Sequence, residues 1–194
     1  MAGDTHARSA DRASLRLFVA VTIPEPVADA IDVAFDRWRA AFPQARWTPR
    51  SDWHVTLRFL GETSPRLLPW VGSRLGEAVG STRAFESRVR GVGGFPSARH
   101  ARVVWAGLDD PAGGFRTLAA AVSRSLELEH DARPFMPHLT VARGDPPFAL
   151  PASFAATSLE SEPFVVYTLL LMRSRLRERA PRYEHLASYD LVRG

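Results

Sequence analysis

Two tetrapeptides of the form His-x-Thr-x stand in this chain, His54-Val55-Thr56-Leu57 and His138-Leu139-Thr140-Val141. Each lies in a β-favouring run, where residues two apart leave the same face of a strand about 7 Å from one another. His54 with Thr56, and His138 with Thr140, thus each present an imidazole beside a hydroxyl. The alternate residues point the other way: Val55, Leu57 and Phe59 are expected to share a buried face with Trp53, as are Leu139 and Val141. Two imidazoles across a cleft can divide labour, the neutral one taking a proton from water and the protonated one giving a proton to a leaving oxygen. That chemistry fits hydrolysis of a phosphodiester. With an ordinary imidazole pKa near 6.5 both forms are present around neutral pH, and each transfer contributes about 10²–10⁴ in rate.

The threonine hydroxyls suit non-bridging phosphate oxygens, where charge builds up in the transition state. Arg143 offers those oxygens a delocalised cation with a bidentate fork. It follows His138 by five residues, which on an unbroken strand sends it to the opposite face. It can serve only if the strand twists or ends there, and Gly144 followed by Pro146-Pro147 predicts that ending. Arg58 has the right parity with His54 and Thr56, but ranks below Arg143 because a solvated strand residue explains it equally well.

These groups need strands to hold them. Leu15 to Thr22 reads as the first strand, and Pro24-Glu25-Pro26 as the turn and acidic start of a helix to about Ala41, striped by Val27, Ile31, Ala34, Phe35 and Trp38. After the first His-x-Thr strand, Gly61 to Pro65 ends the strand and caps a second helix to about Val79, with Leu67, Leu68, Val71 and Leu75 as its stripe. Strands over Ala84 to Val92 and Arg102 to Leu108 flank a loop, Gly93-Gly94-Phe95-Pro96-Ser97, whose glycines allow close approach of the backbone. A third helix runs from Pro111 to about Leu128, and Gly144-Asp145-Pro146-Pro147 terminates the second His-x-Thr strand. Phe164 to Met172 and Tyr183 to Leu191 form a last pair of strands. Strands paired through short turns argue for an α+β fold rather than a doubly wound parallel sheet.

A chain of 194 residues with 45% apolar content can bury a core as one domain or as two lobes sharing it. Met1 to Ser14 reads as a flexible leader, not a signal peptide, and 15–194 as one bilobal domain. No segment approaches transmembrane length. The absence of cysteine excludes disulfide scaffolds, thiolate metal sites and thiol nucleophiles, and is compatible with the cytoplasm. Net charge is +4, and all 25 basic residues are arginine. That balance suits an anionic substrate, although the arginines are spread along the chain.

The chain resembles the 2H phosphoesterase superfamily, in its RNA 2′,3′-cyclic phosphodiesterase branch, also known as the 2′-5′ RNA ligases. Leu17-Phe18-Val19-Ala20 with Ile23-Pro24 is similar to the family's opening strand, and Arg46-Trp47 through Leu60-Gly61 to its first motif. Gly94-Phe95-Pro96 with Val103 to Gly107 resembles its middle hairpin, Phe135 through Arg143 its second motif, and Leu170 to Leu176 with Tyr183 and Leu186 its last hairpin. The resemblance implies two pseudo-symmetric α+β lobes, each an antiparallel sheet with helices on its outer face, and a catalytic cleft between them. It implies His54 and His138 as the catalytic pair, His138 as base and His54 as acid, although the sequence alone does not orient them. It implies Thr56, Thr140 and Arg143 as substrate-binding residues. The reaction so implied opens a 2′,3′-cyclic phosphate to a 2′-phosphate with no metal or other cofactor. Arg179-Ala180-Pro181 departs from the glycine turn often found there, which bears on substrate detail more than on chemistry.

The expected partners are RNA ends or small cyclic nucleotides, with no membrane and with the protein acting as a monomer. Two other functions remain open: a ligase of 2′-5′ linkages, which is the same chemistry with a 5′-hydroxyl replacing water, and a non-catalytic RNA-end binding module. Tail, loop or capping roles are expected for His6, His100, His130 and His185, and a solvated helix end for Glu127, Glu129, His130 and Asp131, which lack metal-ligand spacing. Phe95, Trp53 and Phe135 are core candidates first and base-stacking candidates second.

Overall fold

A computed structural model describes residues 14–128, 134–175 and 182–193. Among the described residues nine strands form one sheet: β1 (Leu15–Val21), β2 (Arg46–Trp47), β3 (Val55–Thr63), β4 (Phe85–Phe95), β5 (Ala101–Asp109), β6 (His138–Phe148), β7 (Phe164–Val166), β8 (Thr168–Arg175) and β9 (Arg182–Asp190). Their order is β7-β4-β5-β6-β3-β1-β8-β9, with β2 also on β6, and the strand pairs are antiparallel. The α+β expectation holds. The two expected lobes are the two halves of this sheet. They meet where β3 pairs with β6, at Val55 opposite Leu139, so both His-x-Thr strands lie at the centre.

The helices are α1 (Glu25–Ala41), α2 (Leu68–Gly80), α3 (Gly114–Ser125) and a short α4 (Ala152–Ala155). α1 starts where the carbonyl of Pro24 accepts from Val27 and Ala28, and it buries Val27, Ala28, Ile31, Phe35 and Trp38 at helical spacing. α3 begins later than Pro111, because Asp110 caps it: its carboxylate accepts from the N–H groups of Phe115 (3.2 Å) and Arg116 (3.4 Å). Leu67, expected in the stripe of α2, is 48% exposed, since Pro65–Leu67 is a 3-10 turn out of phase with the helix that follows. The helices and the core face of the sheet share one hydrophobic cluster. On β1 that face carries Leu15, Leu17, Val19 and Val21; Arg16 and Phe18 turn to the other side, which holds the cleft.

Several strands differ from their expected extents. β3 continues to Thr63 and β6 continues through Gly144 to Phe148, because both prolines of β6 fall in the unpaired stretch between Arg143, opposite Val103, and Phe148, opposite Ala101. Gly93, Gly94 and Phe95 belong to β4 and not to a loop. What approaches Gly93 is the indole of Trp105: a Cβ there would lie 2.2 Å from the ring. The expected strand from Phe164 breaks at Tyr167, where the chain leaves β4 for β1 and so crosses from one half of the sheet to the other. Among the described residues, no helix is long and apolar enough to cross a membrane.

Two bulges matter for function. Along β3, Thr56 pairs with Ala20 but Arg58 with Val19, leaving Leu57 as an extra residue. Along β6, Thr140 pairs with Trp105 but Ala142 with Val104, leaving Val141 extra. A bulge inserts one residue, so the side chains that follow change face until the next register shift, which comes at Leu60 on β3 and after Arg143 on β6. Phe59 therefore stands opposite Phe18 and is 63% exposed, contrary to the buried face expected for it.

Candidate active site

A cleft of about 310 Å³ opens over the centre of the sheet, lined by residues that include His54, Thr56, Thr140, Arg143, Phe59 and Tyr183. His54 comes immediately before β3 and His138 opens β6. With Val55 opposite Leu139, the antiparallel register carried one residue further sets His54 across from Thr140 and Thr56 across from His138. The four groups expected from the sequence are therefore brought together by a single pair of neighbouring strands.

Both imidazoles are held in the same way. Nδ1 of His54 donates to the carbonyl of Asp52 (2.7 Å), and Nδ1 of His138 donates to that of Met136 (2.8 Å). A carbonyl can only accept, so Nδ1 carries the proton and Nε2 is left for chemistry. Each ring also meets an aromatic edge-on, Tyr183 at 4.9 Å from His54 and Phe95 at 5.0 Å from His138. Phe18 adds a third contact to His54 at 5.0 Å. Phe95 rests in turn on Trp105 (5.4 Å), whose indole fills the space above Gly93.

Burial pushes both imidazoles below their usual pKa, more than the carbonyl hydrogen bonds raise them. The Arg143 guanidinium lowers both further, and a charge on His138 disfavours one on His54. The two rings are thus electrostatically coupled, and single protonation of the pair is favoured over double. His138 does not itself line the 310 Å³ cleft; it joins the site through this coupling and through Thr140 and Arg143 on its strand.

Arg143 reaches the cleft because of the bulge at Val141, and not because β6 ends at Gly144. The extra residue restores to position 143 the face of His138 and Thr140, and Val141 and Ala142 are consecutively buried as a bulge requires. Arg58 suffers the reverse. The bulge at Leu57 sets it opposite the core residue Val19, away from the cleft, and gives its place to Phe59. Phe59 and Arg143 each follow their histidine by five residues past a bulge, so they are equivalents in the two halves. Among the aromatics considered for stacking, Trp53 is buried and Phe135 packs on the core, while Phe95 braces His138.

The sequence reading missed Arg16, Arg46, Thr48, Asp52, Ser174 and Tyr183 as cleft residues. Arg46 was legible in part: alternation with Trp47, which enters the core against Phe35, sends it to the cleft side. Among the described residues no three His, Asp or Glu side chains converge to hold a metal. Glu129, His130 and Asp131, together with Arg179-Ala180-Pro181 and the leader to residue 13, lie outside the described residues. A second, more open depression of about 680 Å³, bounded by Ala84, Val165, Tyr167, Thr168 and Arg193, contains no acid–base pair.

The model of the 2′-5′ RNA ligase superfamily matches residues 25–178. An RNA 2′,3′-cyclic phosphodiesterase of Thermus thermophilus is 34% identical over 191 residues, covering 91% of this chain and 90% of its own. One of Geobacillus stearothermophilus is 28% identical over 180 residues, and there the match spans 90% of this chain but only 57% of the relative. Among solved structures, a Thermus thermophilus protein superposes with a TM-score of 0.75 at 32% identity, covering 91% of this chain and 98% of that one. LigT of E. coli bound to 3′-AMP superposes with a TM-score of 0.72 at 26% identity, covering 92% and 98%. With a family model spanning most of the chain and a relative aligned nearly end to end, this chain belongs to the 2′-5′ RNA ligase superfamily, the 2H phosphoesterases, and is an enzyme of the hydrolase class.

Proposed function

We propose that this protein hydrolyses 2′,3′-cyclic phosphates at RNA ends or on nucleosides, giving 2′-phosphates, by acid–base catalysis between His54 and His138 without a metal. The observation that carries the reading is the pair of carbonyl-anchored imidazoles on adjacent strands, each with Nε2 left for proton transfer. The names of the Thermus relative and of the E. coli complex with 3′-AMP support the substrate class.

In the reaction so read, Nε2 of neutral His138 takes a proton from water as the water oxygen bonds to phosphorus. The bond from phosphorus to O3′ breaks, and Nε2–H of protonated His54 delivers its proton to O3′. One imidazole gains the proton that the other loses, and exchange with solvent resets the pair. Thr56, Thr140 and Arg143 hold the non-bridging oxygens as charge develops on them. Both histidines lie near one cation, which the anionic phosphate neutralises on binding, so the bound substrate favours the protonated acid.

The test is product analysis on an oligonucleotide ending in a 2′,3′-cyclic phosphate, with and without EDTA and with a 5′-hydroxyl oligonucleotide as competing acceptor. The expected product is the 2′-phosphate, insensitive to EDTA, and His54→Ala and His138→Ala should each lose at least about 10²-fold in kcat. Full turnover by both variants would refute the histidine mechanism. Activity lost in EDTA and restored by a divalent ion would refute metal independence, and a joined 2′-5′ product in place of hydrolysis would make ligation the reaction.

A further inference from the structure

Beyond the reacting phosphate, the cleft carries cations that the chemistry above does not use. Arg46 on β2 lies directly opposite Arg143 on β6, and both line the cleft with Thr48 beside them. Like charges facing each other across an antiparallel pair destabilise it. Elsewhere the chain pairs its arginines with carboxylates: Arg39 with Asp32, Arg50 with Glu25, Asp29 and Asp32, Arg88 with Glu160, and Arg175 with Glu184. Arg46 and Arg143 are exposed and meet no carboxylate among the described residues. The carboxylate that does line the cleft, Asp52, feels the charge of Arg182 instead.

The position of Arg46 is built in. Trp47 is locked into the core against Phe35 (6.1 Å) and under Arg39, and the Thr48 N–H donates to the carbonyl of Val141 (2.9 Å). The segment carrying Arg46 is therefore pinned to the same bulge that turns Arg143 into the cleft. Arg143 follows Thr140 on the strand of His138, whereas Arg46 stands on the neighbouring strand β2, so the two arginines offer separate points of contact along the cleft. A 2′,3′-cyclic phosphate ends its strand, and the next phosphate can only be on the 5′ side.

We propose that Arg46, with the Thr48 hydroxyl, forms a second phosphate subsite that takes the 5′-phosphate of the terminal nucleotide. This deepens the function proposed above and rests on it: the favoured substrate becomes a nucleotide or RNA end with a phosphate at that position, rather than a nucleoside cyclic phosphate. A guanidinium hydrogen-bonded to a phosphate oxygen is charge-assisted on both sides, and its removal shows in binding before turnover.

The test compares kcat/KM for adenosine 2′,3′-cyclic phosphate, its 5′-phosphorylated form and the dinucleotide ApA ending in a 2′,3′-cyclic phosphate. Wild type should prefer both phosphate-bearing substrates by about tenfold, chiefly through KM. A preference for the monoester alone would assign the subsite to free nucleotides, and a preference for both to RNA ends as well. Arg46→Ala should bring the ratios close to one, and Arg46→Lys, which keeps the charge but not the fork, should retain part of them. Equal kcat/KM in wild type, or an unchanged ratio in Arg46→Ala, overturns the subsite. If wild type turns over none of the three, the hydrolytic reading has failed, and calorimetric affinities for the same compounds decide the subsite by the same ratios. Thr48→Val, which leaves the β2 backbone intact, serves as an independent variant and should lower the ratio in the same direction.

Discussion

Each imidazole is oriented by a carbonyl two residues before it in its own chain, Asp52 for His54 and Met136 for His138. That anchor is local, which is why it recurs in both halves. What differs is the residue five positions on: Phe59 in one half and Arg143 in the other, so the site has one aromatic wall and one cationic wall. Arg143 also lowers both histidines, and this fixes the sign of a pH effect. The kcat/KM optimum of an acid–base pair falls between its two free-enzyme pKa values, both below 6.5 in this site. Removing the cation raises both values. Arg143→Ala should therefore lower kcat by about 10²–10³-fold and move the kcat/KM optimum to higher pH. Arg58→Ala should leave both the rate and the profile close to wild type. Pre-steady-state and steady-state pH profiles of the three proteins check this, and an optimum that stays put or moves down in Arg143→Ala would contradict it.

Among the elements, the bulged strands and the β4–β5 hairpin set the geometry. A bulge directly after Thr56 and another directly after Thr140 exchange the faces of the residues that follow, up to the next register shift at Leu60 on β3 and after Arg143 on β6. Behind His138 stands a stack running from Gly93 through Trp105 to Phe95. A methyl group at Gly93 would meet the Trp105 ring at 2.2 Å, so the indole must move and Phe95 with it. Gly93→Ala should cost about 1–3 kcal/mol of stability, with kcat falling more than KM changes. Gly76→Ala in α2, where the added carbon meets open space, serves as the control and should be neutral or stabilising by up to about 1 kcal/mol. Thermal denaturation and single-turnover kinetics separate the two outcomes. A Gly93→Ala protein with unaltered kcat would remove the stack from the account of how His138 is held.

Across the molecule, one sheet and one hydrophobic cluster serve both halves, so folding and the site are thermodynamically linked. Both histidines have folded-state pKa values depressed below 6.5, and the unfolded chain therefore binds more protons than the folded one as pH falls through that value. The contribution of these two histidines to stability then decreases as pH drops below about 6.5 and levels off once the folded-state pKa values are passed. The difference in denaturant midpoint between wild type and a His54→Gln, His138→Gln double variant should shrink or reverse in that window, to the disadvantage of wild type. A wild-type protein that gains stability relative to the double variant on acidification would mean that the folded imidazoles are not held neutral.

The two His-x-Thr pairs and the α+β class are legible without coordinates. They follow from local rules: side chains two apart share a strand face, and apolar residues at helical spacing share a helix face. Arg143 is legible too, but for the wrong reason, since Gly144 and the following prolines do not stop β6. That Arg143 and Phe59 enter the cleft, that Arg58 does not, and that Arg46 stands beside Arg143 emerge only once the strands are paired. Each of these depends on register between strands far apart in the chain, and a single unpaired residue such as Leu57 or Val141 reverses the face of its successors without any mark in its own identity.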